Sequence, residues 1–349
     1  MTKQLISFVA AFALATPLIA QDAAEVPPSP GEIVAQASAD EWIAIDPEDI
    51  LVMTLSPDAE GKERKVLMQL MPAPFSEAWT ANIRTFARSG WFDDITVNRV
   101  QDNYVVQWGD ANYDKPESQG TPKPLPAGLQ NTSEDRYTVS ADLIGLPRLL
   151  ADSRRARALE SDEPMIAGDA TTGMILANGL TDSYAQLSLP YQGWPVASDY
   201  GKDENEGTAQ VWPVHCYGMV GVGRNYSPDA GTGAELYTVI GHAPRHLDRN
   251  IALVGRIIEG IEHLSALPRG SGNLGFYADE TKRTPILRVR VGSDLPAEDR
   301  PAFEYLDTEG ATFARYADAR ANRRDPFFIV PAGGADICNI PVPVRRISE

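Results

Sequence analysis

The chain has 349 residues and a formal net charge of −17 at pH 7, with 31 Lys and Arg against 48 Asp and Glu. So acidic a balance argues against a nucleic-acid-binding protein, whose expected footprint is a basic patch. The hydrophobic fraction of 43% is enough for a sizeable core, and the length allows one large domain or two ordinary ones.

The first 20 residues have the pattern of a secretory signal. Lys3 supplies a positive charge, an apolar run follows over residues 5–15, and Ala20 is a plausible cleavage position. The run is shorter than the roughly 20 apolar residues that a membrane-spanning helix needs. We therefore expect an exported, periplasmic protein without stable membrane insertion. Residues 21–39, rich in Ala, Pro and Glu, are expected to form a flexible lead.

Four strands and one helix are predicted in the first part of the folded chain, which should begin near residue 40. Residues 50–55 and 65–71 are β-rich, and a helical pattern then runs from Ser76 to Gly90. Two further strands, residues 96–100 and 104–108, are joined by a polar turn. This first part therefore predicts a mainly β domain.

A long region of weak regularity, residues 111–214, interrupts the β pattern. More than 100 such residues are unusual inside a compact domain, so we interpret them as an insertion with some structure of its own. The β signal then returns at residues 216–222, 235–240, 251–257 and 284–291, with a short helix at 260–266 and another at 312–322.

Arg99 stands out because it lies between Val97 and Val100 in a β-rich stretch. A cation in such a place usually points into solvent, and apolar neighbours usually pack in the core. The alternative is a fixed guanidinium beside Tyr104 and Gln107, an arrangement suited to a ligand with a carbonyl to hold and an apolar ring to bury.

The chain has two cysteines, Cys216 and Cys338. An exported location permits a disulfide between them, and two buried free thiols are the alternative. No metal and no cofactor is expected, because the cysteines and the histidines lack the paired spacing of zinc ligands. The histidines are His215, His242, His246 and His263.

Several motifs in this order resemble the cyclophilin-type peptidyl-prolyl isomerase family. Each is weak alone, and together they cover roughly residues 48–110 and 215–266. In chain order they are Trp79 with Asn82-Ile83, Asn98-Arg99-Val100, residues 104–110 (YVVQWGD), residues 217–223 (YGMVGVG), residues 233–239 (GAELYTV), residues 246–250 (HLDRN) and residues 254–257 (VGRI).

The resemblance implies a mainly β fold, a closed eight-stranded antiparallel barrel capped by two helices. The cyclophilin-like domain would span residues 40–280 and carry the irregular insertion 111–214. Residues 281–349 would be a small α+β extension packed on the barrel. The active groove would lie on the outer face of the barrel, whose interior is filled by side chains.

The resemblance also implies an isomerase acting on X–Pro bonds of exported polypeptides, working as a monomer. Arg99 matches the family's catalytic arginine, and Gln107 matches the amide that helps to hold it. The substrate-binding positions would be Tyr104, Met219, Glu235, Tyr237, His246 and Leu247.

Several positions depart from the family pattern. Glu235 stands in place of a substrate-binding Gln, so a carboxylate near Arg99 could pair with it and compete with substrate. Gly221 replaces an Asn, and Ile251 stands where many members have His. These changes predict altered or weakened activity. The alternative function is a non-catalytic proline-binding module or periplasmic chaperone on the same scaffold.

Overall fold

A computed structural model describes residues 26–113, 120–149, 182–200 and 208–347, so the predicted signal lies outside the described residues. In this part of the chain the helices include α1 (Pro30–Ala35), α2 (Glu77–Arg88), α3 (Glu262–Ser265) and α4 (Ala311–Ala321). The strands are β1 (Trp42–Ala44), β2 (Ile50–Leu55), β3 (Arg64–Leu70), β4 (Ile95–Val100), β5 (Val105–Gly109), β6 (Val139–Ser140), β7 (Leu187–Tyr191), β8 (Trp194–Ser198), β9 (Gln210–Pro213), β10 (Met219–Val222), β11 (Leu236–Val239), β12 (Leu253–Glu259), β13 (Thr284–Val291), β14 (Phe303–Leu306) and β15 (Val344–Arg346).

Eight strands form a closed antiparallel barrel in the order β10-β11-β5-β4-β13-β2-β3-β12. Its interior is the main hydrophobic core, to which inward side chains of every strand contribute. Trp79, Ile83 and Phe86 of α2 and Leu264 of α3 are fully buried in the same core. The predicted fold class, a closed eight-stranded barrel with two covering helices, is confirmed.

Strand β13 corrects the predicted boundary of the barrel at residue 280. It pairs with β2 on one side and with β4 on the other, so residues 284–291 belong to the barrel and not to the extension. Without β13, strands β2 and β4 would each leave an open row of backbone N–H and C=O groups.

The described part of the insertion contains a sheet of its own, which agrees with the expectation of some structure there and corrects the description of these residues as irregular. Strands β6, β9, β8 and β7 pair in that order as a four-stranded antiparallel sheet. Trp194 and Trp212 of this sheet are buried in a second core cluster, together with Met219 and Leu253 of the barrel. The insertion therefore covers the outer side of β10 and β12.

A third unit joins the two ends of the described chain, and it corrects the predicted flexible lead. Strands β1, β14 and β15 form a three-stranded sheet. Helix α1, within residues 21–39, begins at a capping box in which Ser29 and Glu32 bond each other's backbone. Ile33 then packs with Phe313 of α4. Burial of Ile33 and the cap fix residues that composition alone suggests are flexible.

The extension contacts the barrel through several groups, among them Phe303 of β14, an ion pair between Arg346 and Glu259, and a disulfide. Phe303 packs against Ile50 and Leu67 on the outside of β2 and β3. Cys216 and Cys338 form a disulfide, which joins the start of β10 to the extension. Among the described residues, no helix combines the length and apolarity needed to cross a bilayer.

Candidate active site

A β-bulge in β4 turns Arg99 out of the barrel. Val97 and Val100 are both fully buried in the core although they are three residues apart, which strict alternation of a strand does not allow. The pairing of β4 with β5 shifts between Val97 and Arg99, so one extra residue is accommodated there. Arg99 consequently lies outside the barrel, opposite Gln107 of β5.

The guanidinium of Arg99 is held from several directions. Its Nη1 donates to Oε1 of Gln107 at 3.1 Å, its Nη2 donates to Gln101, and its Nε donates to the carbonyl of Leu274 at 2.7 Å. The ring of Phe276 lies 5.5 Å from its Cζ, within the range of a cation–π contact. The orientation of the group is therefore fixed before any ligand arrives.

The charge of Arg99 persists despite partial burial. Burial lowers the pKa of Arg99 from its ordinary value, and the charge of Glu235 opposes part of that shift. An arginine side chain nevertheless stays protonated in proteins. The cleft therefore contains a permanent cation in a partly dry setting, where its interaction with a carbonyl is stronger than in water.

Gln107 connects Arg99 to Glu235. The amide nitrogen of Gln107 donates to Oε2 of Glu235 at 3.3 Å, while its oxygen accepts from Arg99. Glu235 is only 8% exposed. The amide of Gln107 is thus locked in one orientation, because the cation requires the oxygen and the carboxylate requires the N–H.

An apolar floor lies beside these polar groups. It contains three buried side chains from β5 and β11 and three half-buried side chains from the neighbouring connecting segments. Together they form a small hydrophobic cluster outside the barrel, consisting of Val105, Tyr237 and Val239 with Tyr104, Leu247 and Ile251.

The floor and the polar groups line one cleft of about 890 Å³. Its opposite side is formed by residues 272–278, which include Leu274 and Phe276. Of the residues that the sequence indicated, six line the cleft: Arg99, Tyr104, Gln107, Glu235, Tyr237 and Leu247.

Two of the indicated residues are not among those that line it. Met219 is buried in the second core cluster, under the sheet of the insertion. Its assignment as a substrate-binding residue is corrected by this packing. His246 is exposed, and its ring stacks on the ring of Tyr104 with centroids 6.3 Å apart. His246 therefore contacts Tyr104 of the cleft without being one of the residues that line it.

Sequence reasoning missed Val105 and His215. Val105 could have been found, because residues 105 and 107 alternate with the core residues Val106 and Trp108 and so share an outer face. Nε2 of His215 forms a hydrogen bond with the hydroxyl of Tyr237, at a distance of 2.9 Å. Only the three-dimensional packing brings these two residues together.

Within the described ranges, no three His, Cys, Asp or Glu side chains come together as a metal site would require. The cleft instead combines the fixed cation of Arg99, the locked amide of Gln107, the buried carboxylate of Glu235 and an apolar floor, and the more peripheral Arg224, Arg283 and Glu280 also line it. Such a set can bind an apolar ring and hold a carbonyl oxygen at its edge.

Comparison with known proteins agrees with this description. The family model for cyclophilin type peptidyl-prolyl cis-trans isomerase/CLD matches residues 78–291, well over half of the chain. No curated protein sequence matches.

Among solved structures, the cyclophilin AquaCyp293 from Hirschia baltica is similar in fold. It is 19% identical, with a TM-score of 0.57, and the match covers 90% of this chain and 99% of that one. A cyclophilin type peptidyl-prolyl cis-trans isomerase from Cryptosporidium parvum matches over 70% of this chain and 96% of its own, at 12% identity and a TM-score of 0.34.

Proposed function

Since this chain belongs to the cyclophilin-type peptidyl-prolyl cis-trans isomerase family, we propose that its cleft rotates X–Pro bonds of exported polypeptides, with Arg99 as the catalytic donor. The family membership makes the chain an isomerase that takes proline-containing peptides. The role of Arg99, the exported substrates and the location of the protein are the parts that we add.

The reaction needs a twisted amide to be stabilised and no bond to be broken. Resonance gives the X–Pro bond a rotation barrier of about 18–20 kcal/mol, and uncatalysed isomerisation takes tens to hundreds of seconds. The catalyst must bind the twisted amide, in which conjugation is lost, better than either planar form. An apolar pocket for the proline ring and a fixed donor at its edge are sufficient for this.

The observation that carries the proposal is the fixed guanidinium at the edge of the apolar floor. Within the described part of the chain, three of the five N–H groups of Arg99 donate to Leu274, Gln107 and Gln101. In the proposed mechanism the other N–H groups donate to the substrate carbonyl or the prolyl nitrogen. Because Arg99 is held in advance, little reorganisation is needed when the amide twists.

Kinetics of Arg99→Ala and Arg99→Lys test this role. Both variants should lose about 10²–10³-fold in kcat/KM, as is typical when one preorganised donor is removed. Arg99→Lys should not recover, because an ammonium lacks the planar fork that bonds Gln107, Gln101 and Leu274 at once. Arg288→Ala, at an exposed position on β13, is the matched control and should keep wild-type activity.

The assay follows a proline-containing peptide whose cis and trans forms are distinguished by a coupled protease. A wild-type rate no higher than the uncatalysed rate would reject catalysis. An active Arg99→Ala variant would reject the role of Arg99 alone.

Glu235 favours a second candidate, a non-catalytic proline-binding module or periplasmic chaperone. Its buried carboxylate bonds the same amide that orients Arg99, and so could weaken the donor. Peptide binding measured by calorimetry, together with no acceleration of isomerisation, would favour this candidate.

We also propose that the protein acts in the periplasm as a monomer. The signal pattern of residues 1–20 supports export, and the disulfide between Cys216 and Cys338 supports an oxidising compartment. Fractionation of the source cells and N-terminal sequencing of the mature protein test the location. Recovery of the protein with its signal intact in the cytosol would reject it.

A further inference from the structure

A buried chain of polar contacts leads away from the cleft at Tyr237. The Tyr237 hydroxyl lies 2.9 Å from Nε2 of His215, and Nδ1 of His215 lies 2.9 Å from Oδ1 of Asp248. The exposed fractions are 5% for Tyr237, 1% for His215 and 6% for Asp248. The proposed mechanism does not use His215 or Asp248.

The direction of the hydrogen bonds follows from Asp248. Burial alone would raise the pKa of Asp248, but its contacts with His215 and Arg245 outweigh burial and hold the pKa below its usual value. A charged Asp248 can only accept, so Nδ1 of His215 carries the proton. The Tyr237 hydroxyl, whose pKa burial raises well above its usual range, keeps its proton and can donate to Nε2 of His215 whenever Nε2 carries none.

Gly221 provides the space for this hydroxyl. A Cβ atom on Gly221 would lie 2.3 Å from Oη of Tyr237, so any larger residue would collide with it. Gly221 and Tyr237 are direct partners in the pairing of β10 with β11. The tip of the Tyr237 ring therefore lies over Gly221 and reaches His215, while the ring itself lines the cleft.

The other end of the chain of contacts reaches both added parts of the molecule. Arg245 donates from Nε to Asp248 and from Nη2 to Asp182 of the insertion, each at 2.7 Å. Its Nη1 lies 3.7 Å from a carboxylate oxygen of Asp336 in the extension. The disulfide between Cys216 and Cys338 joins the residue after His215 to the same segment of the extension. Barrel, insertion and extension thus meet behind Tyr237.

We propose that His215 is a positioning residue that holds the ring of Tyr237 at the floor of the cleft, and that the insertion and the extension support the cleft through it. A ring held at its tip keeps one orientation against the proline ring while the amide twists beside Arg99. The inference rests on the proposed function for its kinetic readout. In this proposal the insertion and the extension affect catalysis without contacting the substrate.

A double-mutant cycle of His215→Phe and Tyr237→Phe tests the proposal. His215→Phe should lower kcat on the order of 10- to 100-fold, the loss expected when a contact group moves by about 1 Å. KM should change less than about threefold, because the apolar surface for binding remains. In the Tyr237→Phe background, His215→Phe should lower kcat less than about threefold, because the hydroxyl that His215 binds is already absent. His263→Phe on α3 is the matched control.

The proposal would be overturned if His215→Phe lowered kcat equally in the wild type and in Tyr237→Phe, or if it left the kcat of the wild type unchanged. If His215→Phe does not fold, Tyr237→Phe alone decides, because it removes only the hydroxyl. It should lower kcat about threefold or more, and an unchanged kcat would overturn the proposal.

NMR of the 13C-labelled Cζ atoms of tyrosine separates this proposal from the proposed function. Tyr237→Phe assigns the signal of Tyr237, and His215→Gln should shift that signal because the acceptor changes. This readout needs no turnover. If the wild type does not accelerate isomerisation, the proposed function fails, whereas an unshifted Tyr237 signal shows that His215 does not hold the ring.

Discussion

Glu235 introduces a buried negative charge into a cleft whose proposed ligand is an uncharged X–Pro segment. Its carboxylate accepts from Gln107, which in turn accepts from Arg99. The carboxylate therefore orients Gln107 and also draws on the charge of Arg99 through it. The first effect favours catalysis, and the second reduces the pull that Arg99 exerts on a substrate carbonyl.

Glu235→Gln separates these two effects. A glutamine can still accept the hydrogen bond from Gln107, so the orientation of that amide should persist. It removes the charge and adds an N–H donor toward the substrate. We expect kcat/KM to rise about tenfold, since a hydrogen bond to a charged group is worth about 1.5–3 kcal/mol and 1.4 kcal/mol is a factor of ten.

The isomerase assay on Glu235→Gln and Glu235→Ala provides the measurement. Glu235→Ala should fall below the wild type, because the amide of Gln107 loses its partner. A decrease in Glu235→Gln would mean that the charge itself is required in the cleft.

Single residues of the site could be predicted from sequence where a strand pattern or a motif fixes them. Arg99, Gln107 and Tyr237 follow from the resemblance, and all three line the cleft. Met219 follows the same pattern of outward residues, but the insertion covers it. His215 could not be predicted, since its partner Asp248 lies 33 residues away and only tertiary packing brings them together.

At the scale of elements, the segment from residue 270 to residue 278 determines the position of Arg99. It pairs with β4 through a bridge between Arg99 and Phe276, and the carbonyl of Leu274 accepts from Nε of Arg99. Gly275 makes this close approach possible. Its φ is +82°, and a Cβ atom there would lie 2.8 Å from Cα of Gln101.

Gly275→Ala should therefore displace this segment from β4. We expect a loss of about 1–2 kcal/mol in the free energy of unfolding from the left-handed backbone alone. We also expect kcat/KM to fall about tenfold, because Arg99 loses the acceptor of a hydrogen bond worth about 1.5–3 kcal/mol.

Gly61→Ala is the matched control for Gly275→Ala. Gly61 has a φ of +79° in the connection between β2 and β3, with open space where its Cβ would be. Urea unfolding should show the loss from the left-handed backbone in both variants and a further loss in Gly275→Ala from the displaced segment, while only Gly275→Ala should lose activity. Equal activity in the two variants would show that this segment does not position Arg99.

Most elements of the barrel could be predicted from the sequence. The assignment of β13 to the extension and the omission of helix α1 have physical reasons. Seven barrel strands lie within the residues that carry the resemblance, and a closed barrel of eight then requires one more. The alternation of residues 284–291 could have supplied it. Helix α1 was missed because its capping box lies in an Ala- and Pro-rich stretch, where composition suggests flexibility. Its stability comes from α4, far away in sequence.

For the whole molecule, the added parts are bound to the barrel by buried polar contacts as well as by apolar packing. Arg256 of β12 donates to Gln69 of β3 at 2.8 Å and to the carbonyl of Gly193 at 2.7 Å, between β7 and β8. Its guanidinium lies 4.5 Å from the ring of Trp194, and burial lowers its pKa to about 10. The sheet of the insertion is thereby fixed to the outside of the barrel.

The disulfide should stabilise this assembly as a whole. It closes a loop of 122 residues between Cys216 and Cys338, and the loop includes β10 to β14 and α4. In the chain-entropy model so long a loop contributes about 5 kcal/mol, and measured values for disulfides are typically about 2–4 kcal/mol. Cys216→Ala with Cys338→Ala should therefore lower the free energy of unfolding by about 3–5 kcal/mol.

Urea unfolding of the oxidised protein, of the reduced protein and of the double variant measures this effect. The reduced protein and the double variant should be equally destabilised, and a reductant should have no effect on the variant. The variant should also lose kcat, because Cys216 follows His215 and the extension supports Tyr237 through that segment. Full stability after reduction would contradict the structural role of the bond. Lower stability with unchanged kcat would show that the extension stabilises the barrel without acting on the cleft.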